Sequence, residues 1–496
     1  MLAVLVWWLA VVIGGMWLMT RPLYWWWRGV SQGGGVPVPL LGTCWPPSRL
    51  SRGFSGLLNY LYSTRGGHSF LGFHFFVRPC LLIADPQLIN DAFVKNFDTF
   101  KSRSTYVNQK RDIIARNVIH LGGDQWRSVR TKMTPYFTPA RIKKSLDMAA
   151  TSLKLVEEQL DRGGTVDVHA LMTRYTTHVL TGAFFGVKSD VFDNKEDSFF
   201  YHLQRALFDP GFGLRIFLSI VSPWIYDLTR STLNTPEATR ELKDLTFRLI
   251  EGRLKNKGHD LMQAMVDQME KDSKTIEDKY LPDDRSNLRF DMLTITAQMM
   301  ALYTGGTESS GTTLGFALYE MAVHTSIQDR ARAEVRDVLA RSHSAQLDYD
   351  ALQKMRYVNM VISETLRKYP IFNFLHRKAT SAYNIPGTDI VLETGTRVFV
   401  PVYSIHHDPN YYPDPERFDP DRFTEEEIAK RPAEAYIPFG IGPRYCIGVF
   451  SICSVEEWTT SLRSFHFFSI KMHFCSTGSR QLAFTTLPDD KDRNAN

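Results

Sequence analysis

A glycine-rich string near the C-terminus presents one cysteine whose surroundings suit metal ligation. The string reads FGIGPRYCIG from Phe439 to Gly448, with Arg444 two residues before Cys446. Its glycines allow unusual backbone angles and the close approach of a flat ligand. Backbone N–H groups and the fixed cation favour a thiolate over a thiol, and the guanidinium can bind a carboxylate. Such a thiolate fits the axial ligand of a haem iron, where it promotes O–O cleavage.

This string resembles the haem-ligand loop of the cytochrome P450 family, F-x-x-G-x-R-x-C-x-G, at every fixed position. The resemblance implies that Cys446 is the axial iron ligand of haem b, iron protoporphyrin IX. It also implies that Phe439 and Arg444 contact this cofactor. The alternative is a buried structural cysteine in a glycine turn.

Two further strings match the family's propionate-binding residues. Trp126 and Arg130 match W-x-x-x-R, and their spacing of one helical turn lets an indole N–H and a guanidinium reach one carboxylate. Arg377 matches the family's strand arginine that binds a propionate. The resemblance therefore implies three more cofactor-binding residues. Without Cys446, an interfacial Trp–Arg pair would be the simpler interpretation.

An acid and a base at Glu364 and Arg367 are spaced to share one face of a helix. Alone, such a pair is common and usually solvated. In the family the pair is locked by the arginine of a downstream P-E-R-F string, which implies Arg417 in the string at 415–418. Because a buried Arg–Glu–Arg group is costly unless fully paired, we expect it to fix the coil that leads to Cys446 rather than to add stability.

The string at 305–310, GGTESS, matches the family pattern A/G-G-x-D/E-T-T/S within a long helical pattern. A glycine pair beside hydroxyl groups can kink a helix and open a groove for dioxygen and water. The resemblance implies that Glu308 and Ser309 are catalytic and relay protons into this groove. Serine replaces the usual threonine and lacks the methyl that fixes the rotamer, so we expect more peroxide release. The alternative is a close helix crossing through small residues.

Periodicity places these motifs on a mainly α-helical chain with small β-sheets, which agrees with the P450 fold that the resemblance implies. The predicted helices cover 139–161, 289–323 with an interruption at 304–307, 330–341 and 351–368, and the predicted hairpins cover 73–84 and 390–403. A long ordered coil is expected from 403 to 444.

The N-terminus is apolar from Leu2 to Met19 and basic directly afterwards. At ~1.5 Å per residue this run just crosses a bilayer core, and the basic flank favours a cytoplasmic C-terminal side. We expect an N-terminal transmembrane helix as a signal anchor at 1–20, a linker at 21–40, and a cytosolic catalytic domain at 41–496 on the endoplasmic reticulum membrane. A cleaved signal peptide is the alternative.

Electrons must come from a partner, because the sequence contains no dinucleotide-binding motif and no P-loop. The resemblance implies a membrane-bound NADPH–cytochrome P450 reductase, and it leaves cytochrome b5 open as a second donor. Basic residues could steer an acidic donor or form an ordinary solvated face; they are Arg127, Lys132, Lys143 and Lys144. The apolar, loop-like stretch 214–226 is either core or a surface that dips into membrane lipid beside a substrate entrance.

Composition narrows the function classes further. A net charge of 58 − 53 = +5 gives no argument for nucleic-acid binding. Five scattered cysteines exclude a disulfide framework, and without a CxxC pair they do not suit a structural zinc site.

The leading prediction is a haem-thiolate monooxygenase that oxidises lipophilic small molecules: xenobiotics, insecticides, hormones or fatty acids. The resemblance is closest to microsomal arthropod members of the family. After Gly448 the resemblance weakens, and residues 449–496 are atypical. A catalytically impaired haem-binding protein, or a product that does not fold, is therefore the first alternative. A haem-thiolate isomerase that needs no reductase is the second.

Overall fold

The structure is a computed structural model that describes most of the chain between residues 41 and 449. The described residues are 7, 11, 14, 15, 38, 41–51, 53–137, 139–161, 164–193, 198–273, 289–341, 349–449, 473–475 and 483–486. Most of the predicted anchor at 1–20, of the predicted linker at 21–40 and of the atypical segment 449–496 thus lies outside the described residues. Among the described residues, no helix is both long enough and apolar enough to cross a membrane.

Helices form most of the described chain, as predicted. They are α1 Gly53–Ser63, α2 Pro86–Asn90, α3 Gly123–Met133, α4 Pro139–Asp161, α5 Val168–Leu180, α6 Phe199–Leu207, α7 Phe212–Val221, α8 Pro223–Leu228, α9 Pro236–Lys255, α10 Leu261–Asp272, α11 Met292–Val323, α12 Thr325–Arg341, α13 Tyr349–Leu352, α14 Arg356–Lys368, α15 Val402–His406 and α16 Glu425–Ala429. The prediction for 139–161 is confirmed by α4. The single helix predicted at 351–368 is wrong, because a turn separates α13 from α14.

Short strands form small sheets beside the helices. They are β1 Phe70–Phe75, β2 Arg78–Ile83, β3 Gly164–Asp167, β4 Leu375–Lys378, β5 Tyr383–Asn384, β6 Val391–Leu392, β7 Arg397–Val400, β8 His473–Cys475 and β9 Ala483–Thr486. The largest described sheet has the order β1-β2-β7-β4. The hairpin predicted at 73–84 corresponds to β1 and β2. The hairpin predicted at 390–403 is wrong, because β6 pairs with β5, whereas β7 pairs with β2 and β4.

Helix α11 runs through the centre of the fold and packs along α5. Its N-cap is Asp291, whose carboxylate accepts a hydrogen bond from the Thr294 N–H. The helix continues through 304–307, so the predicted interruption is wrong. A side chain at Gly306 would clash with Leu180 of α5, whereas one at Gly305 would meet no atom within 4 Å. The glycine pair therefore serves a close helix crossing on one face and leaves open space on the other.

A buried ion pair clamps the coil that leads towards Cys446. Arg367 donates to Glu364 from Nε (2.6 Å) and Nη2 (2.9 Å), and to the His406 carbonyl oxygen (2.9 Å). Arg417 was predicted as the third member, and this is wrong: its side chain is 69% exposed. Arg422, 11% exposed, has its Nε 3.5 Å from Glu364 Oε1. The second of two similar strings, PDRF rather than PERF, therefore supplies the third arginine.

The stretch at 214–226 is helical, not loop-like. It contributes to α7 and α8, which are separated at Ser222 before Pro223. Leu214, Trp224 and Leu228 are between 62% and 73% exposed. Large apolar side chains thus extend from the surface at this point.

Candidate active site

The loop that carries Cys446 is shaped by backbone hydrogen bonds and one close approach. The Cys446 N–H donates to the Phe439 carbonyl oxygen at 3.1 Å, and the Tyr445 N–H donates to the Gly442 carbonyl oxygen at 2.8 Å. Gly442 has φ +73°, and a Cβ there would clash with the Phe93 carbonyl oxygen. Glycine is therefore needed at this position both for its backbone angle and for the absence of a side chain.

Phe439 and Cys446 of the loop motif have different surroundings. Phe439 is half-buried and packs against a small apolar cluster of α11 and α14, formed by Ala317, Ile362 and Leu366. Cys446 is half-buried. Burial lowers the pKa of Arg103 and of Arg130, and the negative charge of a Cys446 thiolate acts in the opposite direction on both.

Arg444 is buried against the indole of Trp126, with its guanidinium carbon 4.3 Å from a ring centroid. It donates from Nε to the Lys101 carbonyl oxygen (3.0 Å) and from Nη2 to the Leu121 carbonyl oxygen (2.6 Å). Its Nη1 is buried and has no hydrogen-bond partner within the described part of the chain. Burial, together with the charges of nearby arginines, lowers the pKa of Arg444 from 12.5 to about 7.

Three other arginines act on Arg444 through their charge. Arg103, Arg377 and Arg130 each lower its pKa through like charge. Burial lowers the pKa of Arg377 to about 9 and that of Arg103 to about 10, and it also lowers the pKa of Arg130. We call Arg103, Arg130, Arg377 and Arg444 the arginine cluster.

Within the described part of the protein, the positive charge of the arginine cluster has no acidic counterpart. No described aspartate or glutamate contributes to any of these four pKa values. Two histidines beside it are held neutral: burial and then the charge of Arg103 lower the pKa of His120 to about 3 and that of His376 well below its ordinary value. Since buried charges require partners, the cluster fits a ligand with two carboxylates, and the adjacent Cys446 fits the metal of the same ligand.

The two predicted catalytic residues are consecutive on α11. Ser309 is half-buried, and its hydroxyl donates to the Gly305 carbonyl oxygen at 2.5 Å. Glu308 lies at the contact with α5 and α6. Its Oε2 accepts from Gln204 Nε2 (2.9 Å), and its Oε1 lies 3.5 Å from His169 Nε2. The two residues are therefore neighbours in sequence but have different partners.

The Cytochrome P450 family model matches residues 35–453. This chain belongs to the cytochrome P450 family. Cytochrome P450 6l1 of Blattella germanica is 31% identical over 440 residues, which cover 88% of this chain and 84% of the relative. Probable cytochrome P450 6a13 of Drosophila melanogaster is 34% identical over 388 residues, covering 77% and 76%.

Family membership establishes the class of the protein. Cytochrome P450 proteins are monooxygenases that use haem as cofactor, so this chain is an enzyme of that class. The predicted resemblance to arthropod members is confirmed by the cockroach and fly relatives. A haem-binding protein without catalysis is not favoured. The family match ends at residue 453, close to the point where the motif resemblance weakens.

Two residues of this P450 site, Arg103 and His169, were not predicted from the sequence. Arg103 belongs to the arginine cluster, but a single arginine in a loop has no spacing that distinguishes it from a solvated one. The structure brings it to the site because Ser102 bridges to Lys378 at the end of β4, the strand that carries Arg377. His169 was missed because it contacts Glu308 only through the packing of α5 on α11.

Proposed function

We propose that this cytochrome P450 is a membrane-anchored monooxygenase that inserts one oxygen atom of O₂ into lipophilic small molecules. Electrons would come from NADPH through a reductase. The observation that carries this proposal is the arginine cluster beside Cys446, which has no acidic partner among the described residues. When bound there, haem supplies the activation of dioxygen.

Several residues of the site would bind or position the haem. Cys446 would bind the haem iron, and the positive charges of Arg103 and Arg130 would favour its thiolate form. Arg377 and Arg444 would each bind a propionate, where an arginine–carboxylate contact is stronger than a neutral hydrogen bond. Trp126 would hold the Arg444 guanidinium in place by stacking, as its distance of 4.3 Å supports.

Glu308 and Ser309 would deliver protons. Because the Ser309 hydroxyl donates to the Gly305 carbonyl oxygen, its own oxygen remains available to accept a proton from a neighbouring acid. Glu308 sits between the interior face of α11 and the α5–α6 side. We propose that it takes protons from that side and passes them to Ser309, which releases them towards the open space beside Gly305.

The same proposal includes contact of the protein with the membrane. We propose an anchor at 1–20, a linker at 21–40 and a catalytic domain at 41–496 that faces the cytosol at the endoplasmic reticulum. The exposed Leu214, Trp224 and Leu228 would touch lipid and thereby bring a lipophilic substrate to the site.

Two of the four basic residues that could steer the reductase form ion pairs with acids. Lys132 Nζ lies 2.7 Å from Asp272 Oδ2, and Arg127 Nη2 lies 2.8 Å from Asp98 Oδ1. Lys143 and Lys144 have side chains outside the described residues. We propose that the electron donor, the reductase or cytochrome b5, docks on the side of the Cys446 loop, with Arg127 as the more exposed of the two paired cations.

The test is spectroscopic and then kinetic. The purified full chain should give a thiolate-type Soret band in the reduced, carbon-monoxide difference spectrum, and Cys446→Ala should abolish that band. Conversion of a lipophilic probe, with NADPH, a P450 reductase and O₂, should yield a product that contains one added oxygen. A thiolate-type band without NADPH-dependent product would contradict the proposal, and product formation without reductase would favour the isomerase.

A further inference from the structure

Helix α5 places a histidine against the acid that we propose as a proton carrier. His169 Nε2 lies 3.5 Å from Glu308 Oε1 and 3.1 Å from Thr312 Oγ1. On the other side, Gln204 Nε2 donates to Glu308 Oε2 at 2.9 Å. The carboxylate is thus held between a neutral amide and a group that can carry a proton.

The surroundings of His169 favour its protonated form. The hydrogen bond to Glu308 raises the pKa of His169; burial acts in the opposite direction, and the charges of Glu308 and Asp167 raise it further. Glu308 faces the ring from α11, and Asp167 is the N-cap of the ring's own helix. Thr312 and Gln204 are neutral. The His169 side chain is also 42% exposed, so water can reach it.

We propose that His169 is the solvent-side proton donor to Glu308, an inference that rests on the proposed function. The Nε2–H bond of the imidazolium breaks as an O–H bond forms at Glu308 Oε1. The electron pair left on Nε2 then takes a proton from a hydronium ion of the solvent, which becomes water, and no electrons are exchanged. Gln204 keeps the other carboxylate oxygen occupied, so that Oε1 is the oxygen that receives the proton. His169 is a positioning residue, because it acts only through Glu308.

The principal test measures hydrogen peroxide released per NADPH consumed, using the full chain with reductase and a lipophilic probe between pH 6 and pH 9. In the wild type, the peroxide fraction should rise with pH as His169 loses its proton. His169→Gln should give a high fraction that no longer depends on pH in this range. Its product rate should fall by about tenfold, less than the ~10²-fold or more that a direct general acid contributes. His202→Gln, the same exchange at an exposed position of α6, is the control and should behave like the wild type.

A second variant should shift the pH dependence of peroxide release while keeping His169. Asp167→Asn keeps a good N-cap for α5 but removes a charge that raises the pKa of His169. The rise in peroxide should therefore shift to lower pH. A histidine with only a structural role would not produce this shift.

A readout independent of turnover is thermal unfolding of the same holoproteins. The His169–Glu308 pair contributes stability fully below the ordinary histidine pKa of about 6.5, and this contribution is lost as pH rises through the higher pKa of the folded state. The unfolding midpoints of His169→Gln, Glu308→Gln and the double variant should therefore be non-additive at pH 6 and additive at pH 9.

The outcomes separate this inference from the proposed function. If the wild type forms no oxygenated product with reductase, the proposed function fails and the proton-donor role fails with it. If the wild type turns over but His169→Gln and Asp167→Asn keep its pH profile, only the proton-donor role is overturned. Additive midpoints at pH 6 would overturn it as well, because no ion pair would then exist.

Discussion

Replacing Arg422 by methionine tests whether the second of two tandem strings clamps the Cys446 coil. The Arg422 Nε lies 3.5 Å from Glu364 Oε1, which at an effective dielectric constant of ~20 gives about 5 kcal/mol of Coulomb attraction. The desolvation of Arg422 cancels part of this, and Arg367 continues to bind Glu364 through two nitrogens. We therefore expect Arg422→Met to lower the free energy of unfolding by about 2–4 kcal/mol.

The matched control lies five positions earlier in the chain. Arg417 is 69% exposed, with Nη2 3.9 Å from Asp419 Oδ2, so Arg417→Met should cost less than about 1 kcal/mol. The assay is urea unfolding of the holoprotein, followed by the thiolate-type Soret band. In a Glu364→Gln background, Arg422→Met should cause a much smaller loss in the free energy of unfolding. Equal losses for both arginines, or a larger loss for Arg417→Met, would refute the assignment of Arg422.

Three further predictions concern the cofactor loop, the propionate site and proton delivery. Gly442→Ala should lower the free energy of unfolding in urea by more than about 3 kcal/mol, because the added methyl clashes with a backbone carbonyl. Gly387 has a similar φ but open space around it, so Gly387→Ala should lower the free energy of unfolding by only ~1–2 kcal/mol. Arg377→Met should speed haem transfer to apomyoglobin by about 10- to 100-fold, whereas the exposed neighbour Lys378→Met should leave it unchanged. Ser309→Thr should raise the amount of product formed per NADPH, because the added methyl fixes the hydroxyl rotamer. An unchanged ratio would contradict the prediction that serine at this position increases peroxide release.

Local sequence patterns predicted the parts of the structure that local forces determine. The helix at 139–161 follows from its periodicity, and the loop of Cys446 follows from glycines and an arginine at fixed spacing. Both are built within one continuous segment. The family resemblance added the roles of residues far apart in the chain, which spacing alone could not give.

Pairings between distant segments were the parts that the sequence did not predict. The stretch 390–403 alternates like a hairpin, but its second strand, β7, joins β2, which lies far earlier in the chain. Likewise, the choice of Arg422 over Arg417 depends on which side chain the coil turns towards Glu364, and the two strings are nearly identical. Arg103 reaches the site only through a bridge to the end of β4. In each case tertiary packing, not local propensity, decides the partner.

The arginine cluster has a consequence for biosynthesis. The four arginines of the cluster repel one another as the chain compacts, and the two carboxylates of the porphyrin together with a Cys446 thiolate would supply three compensating charges. A ligand that binds only the folded chain shifts the folding equilibrium by mass action. Maturation should therefore depend on porphyrin supply. Polypeptide that is synthesised faster than porphyrin becomes available would remain incompletely folded and accessible to cellular proteases. The amount of mature enzyme would then follow tetrapyrrole synthesis as well as transcription.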